Sequence, residues 1–74
     1  MLHSYYIKLS TWGEVEPEII DDEQMRQAEL GLTDRDPDDY DYLCEAETLR
    51  EAYRGYWDAV SDEYAQREAE KYHP

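Results

Sequence analysis

From Tyr42 onward the apolar residues fall at Tyr42, Ala46, Leu49, Tyr53, Tyr56, Trp57, Val60 and Tyr64. Steps of three and four place them on one face of one helix. The spacing predicts a helix from Tyr42 through Tyr64 that continues toward Lys71. Upstream, Asp36-Pro37-Asp38-Asp39 reads as its start: a cap acceptor, a proline in the first turn, then acids at the positive end of the dipole. Unbroken from Pro37 to Lys71, this helix is roughly 50 Å long at 1.5 Å per residue. A compact chain of 74 residues has a radius of gyration of about 11 Å. The rod therefore protrudes, unless it kinks at Gly55 or Ser61 or a second copy packs along the stripe.

The first half of the chain is less periodic. Ser4 to Trp12 alternates as a strand does, with Tyr5, Ile7 and Leu9 on one side and Tyr6, Lys8 and Ser10 on the other. Gly13 turns the chain and Glu14-Val15-Glu16 returns as a short partner strand. A two-stranded hairpin is marginal alone, so it needs a helix or a second subunit against it. Glu16-Pro17-Glu18 reads as a helix entry, with the helix running to Leu30 and Gly31 ending it in the left-handed conformation. The expectation is a single α+β domain over 1–74, mainly α: a strand or hairpin, a helix at about 17–30 and a long amphipathic helix at about 37–71. No internal repeat or flexible linker interrupts it.

Charge narrows the function. Twenty Asp and Glu against seven Lys and Arg give a net charge of −13, where solubility asks for a magnitude of about 2–8 in a small domain. Self-repulsion of this size opposes compaction. Direct binding of nucleic acid or of an anionic membrane surface needs Lys and Arg, so neither is expected; a basic protein partner is. Eight Tyr and two Trp set the chain apart from disordered acidic tails, which lack aromatics. One cysteine, Cys44, rules out an internal disulfide and fits a reducing, cytoplasmic setting. The N-terminal stretch has no apolar core of signal-peptide or membrane-span length.

The stretch Asp34 to Glu45, "DRDPDDYDYLCE", supports two local readings. As a calcium loop it resembles an EF-hand, with Asp34, Asp36, Asp38 and Glu45 at loop positions one, three, five and twelve. Asp39 occupies the sixth position, where the sharp turn calls for Gly, and Asp41 occupies an apolar position. As a helix start, Asp36 caps and Asp38 is already helical, so it cannot wrap an ion together with Asp34. The helix start is preferred, and no metal or other cofactor is expected.

A cap uses one or two carboxylates, and more remain. Projected at 100° per residue, Glu47, Glu51, Asp58 and Asp62 form a row opposite the aromatic stripe. Asp41, Glu45, Glu63 and Glu70 form a second row beside them, with Arg54 as the main interruption. Like-charge pairs four apart (Asp41/Glu45, Glu47/Glu51, Asp58/Asp62) each destabilise a helix by about 0.2–0.5 kcal/mol. Ordinary solvated faces mix signs and this one does not, which points to a functional acidic face. Its expected members are Asp34, Asp36, Asp38, Asp39, Asp41, Glu45, Glu47, Glu51, Asp58 and Asp62, with Tyr40 and Tyr72 as apolar anchors.

No catalytic constellation stands out. His3 and His73 lie near the termini, and Cys44 has no basic neighbour to activate it, so an enzyme is not expected. In size, charge and aromatic content the whole chain resembles small acidic DNA-mimic inhibitors: phage anti-CRISPR proteins, anti-restriction proteins and uracil-DNA glycosylase inhibitors. The resemblance rests on no motif and transfers no residue. It implies an inhibitor, working in a phage's host cell as monomer or homodimer, that occupies the nucleic-acid groove of a CRISPR effector, a restriction enzyme or another DNA-processing protein. Two other readings stand beside it: an acidic structural or regulatory protein adapted to high salt, and a calcium-responsive helix-loop-helix module on Asp34 to Glu45.

Overall fold

Strand β1, His3–Lys8, is the centre of a three-stranded antiparallel sheet in the order β2-β1-β3. Its flanks are β2, Ile19–Asp21, and β3, Tyr40–Ala46. The computed structural model describes residues 1–71, with side chains through Gln66. Two α-helices complete it: α1, Asp22–Glu29, and α2, Leu49–Lys71. The α+β class, with an N-terminal strand and a long C-terminal helix, is as expected from sequence, whereas the bounds of the elements and the strand β3 are not.

Period-two alternation gives the sheet two apolar faces. Tyr5, Ile7, Ile19 and Ala46 turn toward α2 and close on Ala52, Tyr56 and Val60. On the other face Ile20 and Tyr40 meet Met25 of α1, with Tyr6 half-buried beside them. Tyr56 is fully buried. Its ring takes edge-on contacts from Trp12 and Trp57, with centroids 5.3 and 5.2 Å away. Its hydroxyl donates to the Glu14 carbonyl at 2.7 Å, so a buried phenol keeps a partner.

Three sequence expectations are corrected, and one open alternative is resolved. The strand that returns to β1 is Ile19–Asp21, not Glu14–Glu16. Residues 9–18 instead form a loop tied down by side chains. Thr11 donates to the Lys8 carbonyl and accepts from the Glu18 N–H, while Tyr53 and Tyr56 donate to the Pro17 and Glu14 carbonyls. Pro17 accordingly does not open a helix, and α1 starts five residues later. There Asp21 and Gln24 exchange side-chain and backbone hydrogen bonds as a capping box. Gly31 does end α1: at φ 73° it lets Gly31 and Leu32 donate back to Ala28 and Gln27, the Schellman closure.

The third correction is the largest. Asp36 caps a turn, its carboxylate accepting from the Asp38 N–H at 3.0 Å, but that turn is a 3-10 helix of three residues, Pro37–Asp39. The chain then extends as β3, and the long helix begins only at Leu49. Tyr42 and Ala46, which match helical spacing, are strand residues. The connection is two residues long, and Thr48 Oγ1 accepts from the Glu51 N–H at 3.2 Å, so α2 turns straight back along β3. The alternative left open, a kink at Gly55 or Ser61, is resolved: α2 runs unbroken through both. At 23 residues it is about 34 Å long. The molecule extends 52 Å on its long axis with a radius of gyration of 14.4 Å, so the rod does protrude past the sheet.

Candidate functional site

The carboxylates occupy three separate places. The first is one flank of α2. A Cβ built on Gly55 would lie 3.6 Å from the Cys44 sulfur, so this flank lies over β3. At 100° per residue, Glu51, Asp58 and Asp62 lie within about 60° of Gly55, turned outward from the sheet. All three are exposed. Glu47 stands just before the helix, in the turn, and its N–H donates to the Glu51 carboxylate at 3.1 Å. Of the first expected row, three members therefore share a helical face and the fourth stands just before it, its N–H bonded to Glu51.

The second place is the outer edge of β3, where a bulge reorganises the second expected row. Tyr5 pairs with Cys44 and Tyr6 with Tyr42, leaving Leu43 as the extra residue. An extra residue reverses the alternation. Asp41, paired with Ile7, is on the α2 face, whereas Glu45, paired with Ser4, is on the α1 face. The two are not helical neighbours, and the repulsion expected of such a pair does not arise. Asp41 also closes the open edge, accepting from the Tyr42 N–H at 2.9 Å. Glu63, from the same expected row, turns inward and accepts from the Trp12 indole N–H at 2.9 Å. Glu70 lies outside the described side chains.

The third place is the loop before β3. Asp34, Asp36 and Asp39 line a surface cleft together with Lys8, Glu18, Thr33, Arg35 and Tyr40, and Asp38 is exposed beside it. Arg35 pairs with Glu18 at 3.9 Å. Two cations make this cleft mixed in sign, unlike the α2 flank. The stretch Asp34 to Glu45 is not a continuous loop between two helices: residues 40–46 are strand β3, which carries Glu45 away from Asp34, Asp36 and Asp38. Among the described residues no group of three or more His, Cys, Asp or Glu is placed to hold a metal ion.

The expected apolar anchors change as well. Tyr40 is buried, 8% exposed, and its hydroxyl bonds the Glu18 carboxylate, so it is core and not anchor. Tyr72 lies outside the described residues. Sequence reasoning missed Tyr42, which is 53% exposed on the α1 face of the edge strand and meets Tyr6 edge-on at 6.0 Å. Desolvation, then the charge of Glu45, holds its hydroxyl above the ordinary value. Its signal was the strand itself, hidden by a fit to helical spacing. Cys44 packs its sulfur against Gly55, and burial raises its pKa, which leaves it a weak nucleophile.

The ion pairs between described residues are His3–Asp22 and Arg35–Glu18. None of Asp41, Glu45, Glu47, Glu51, Asp58 or Asp62 has a basic partner among them. No helix in the described residues is long and apolar enough to cross a membrane. No protein-family model, curated protein or solved structure shows a significant match to this chain.

Proposed function

We propose that this protein is an inhibitor that occupies the Lys/Arg-lined nucleic-acid groove of a partner, its carboxylates standing where phosphates stand. The observation that carries this reading is the α2 flank of Glu51, Asp58 and Asp62. It is exposed, of one sign, and unmatched by any described basic side chain. Along the helix axis those carboxylates are about 10 and 6 Å apart, roughly three and two intervals of the phosphates spaced about 3.4 Å along one DNA strand. Asp41 adds to it from the same face of the sheet. Complementary charge speeds the encounter, and salt weakens it. The partner is a CRISPR effector, a restriction enzyme or another DNA-processing protein, the setting is the cytoplasm of a host cell, and the protein itself is not an enzyme.

The test is capture of host-lysate proteins on the immobilised protein, eluted with double-stranded DNA, alongside the variant Asp58→Lys/Asp62→Lys. Glu51 and Asp41 are spared because their carboxylates accept from the Glu47 and Tyr42 N–H groups. The expected result is a basic nucleic-acid enzyme that DNA displaces and that the variant, with its circular dichroism unchanged, does not retain. A retained protein indifferent to DNA, or equally held by the variant, removes this flank from the mechanism.

A further inference from the structure

Beside the acidic flank, about 100° further round the axis of α2, lies a second pattern. Arg50, Arg54, Trp57, Ser61 and Tyr64 follow one another in steps of four, three, four and three. That is the spacing of a coiled-coil seam, about 3.5 residues per turn. The seam is distinct from the buried one, Ala52, Tyr56 and Val60, that packs on the sheet. All five residues are exposed, Trp57 by 42% and Tyr64 by 63%. On a chain of net charge −13 this strip contains no carboxylate. Its composition of Trp, Tyr and Arg is that of binding hot spots.

We infer that this seam is the contact between two copies of the chain, paired antiparallel about a two-fold axis at Trp57. The order of residues selects the partner and the direction. Arg50 and Tyr64 each lie seven residues from Trp57. In the antiparallel register each Arg50 therefore faces the Tyr64 ring of the other copy, and the two Trp57 rings meet on the axis. Parallel pairing would instead set Arg50 against Arg50 and Arg54 against Arg54. A strongly basic partner is repelled by the same two arginines. A two-fold contact is made by one patch on both subunits, and this strip has cations at one end and a π face at the other, which is self-complementary. From Arg50 to Tyr64 the seam is about 21 Å long, shorter than a standard interface of about 800 Å² per partner demands, so the dimer is weak. The antiparallel two-fold brings both acidic flanks to the same side of the pair, with the two Asp58 beside the axis, and their repulsion weakens it further.

Salt gives the dimer a signature of its own. Two bodies of like net charge repel, and screening relieves that repulsion, so the dimer strengthens with salt where capture of a basic partner weakens. The experiment is sedimentation equilibrium of the whole protein from micromolar to millimolar concentration, in low and in half-molar NaCl. Two exposed-residue variants, Arg50→Gln and Tyr64→Ala, are run beside it, with circular dichroism to verify their fold. The expected result is a monomer–dimer equilibrium that shifts toward dimer in high salt. Each variant removes both symmetry-related cation–π contacts and weakens the dimer about 5- to 30-fold. A monomer at every concentration and salt overturns the proposal, as does a dimer that both variants leave unchanged. Either outcome leaves the acidic-flank reading standing, because that reading is tested by a different readout, the displacement of a captured protein by DNA.

Discussion

Gly55 is the residue whose role differs most between sequence and structure. A glycine inside a helical pattern marks a possible kink, yet α2 passes through it without a break. A Cβ there would meet the Cys44 sulfur at 3.6 Å, an ordinary contact. Gly55→Ala therefore adds helix propensity without a clash and should stabilise the fold by about 0.5–1 kcal/mol, read as a higher urea midpoint. Gly55→Leu should lower it by overpacking against Cys44. Together with Cys44 and Tyr42, Tyr5 contributes to an alkaline loss of stability, and of these three groups with raised pKa it is the most buried. Burial raises its pKa from the ordinary 10.0, with Asp21, Asp22, Cys44 and Glu51 adding to the shift. A group whose pKa is raised on folding contributes stability that is complete below the unfolded value and lost as pH rises through the folded one. Urea midpoints should thus fall above pH 10 in step with tyrosinate absorbance, and Tyr5→Phe should flatten that fall.

At the scale of elements, both α-helices start where a capping-box pattern stands in the sequence. Asp21-Asp22-Glu23-Gln24 opens α1 and Thr48-Leu49-Arg50-Glu51 precedes α2. In the second, Glu51 reaches the N–H of Glu47 and not that of Thr48, one residue beyond the usual reciprocal bond. Asp36-Pro37-Asp38-Asp39 has the cap and the proline without the Glu or Gln at the third position. It yields only a 3-10 turn. Weighed together, these signals would have started the helix at Leu49 and freed residues 40–46 for a strand. Asp21→Ala and Thr48→Ala should each destabilise by about 0.5–2 kcal/mol, visible in thermal melts followed at 222 nm. Spacing misled at Tyr42 and Ala46 because two apolar residues four apart match a helical stripe whatever faces they occupy, and here the bulge puts Tyr42 on the α1 face and Ala46 on the α2 face. The strand bulges at Leu43, which no local pattern announces.

For the whole molecule the governing quantity is −13 spread over a surface where the described ion pairs number two. Self-repulsion dominates over pairing, so screening should stabilise: Tm should rise with KCl. The size of the rise separates two accounts of the acidity. A binding face predicts a protein folded at physiological salt whose Tm climbs modestly. Adaptation to concentrated salt predicts a chain that unfolds below molar KCl. The same repulsion explains the elongated form. Packing one stretch of α2, Ala52 to Val60, on the sheet buries its aromatic core, while Asp62 to Gln66 remain solvated beyond it.

The sequence by itself determined the α+β class, the amphipathic helix around Tyr53 to Val60, the left-handed stop at Gly31 and the single-signed row Glu51, Asp58 and Asp62. Each follows from interactions within about one helical turn, which local spacing records. Only the tertiary structure decided that residues 40–46 form an edge strand, that Tyr40 belongs to the core, and that Asp41 and Glu45 part to opposite faces. Those outcomes depend on pairing with β1, some forty residues earlier in the chain. No local pattern can encode a strand's partner, its register or its bulge.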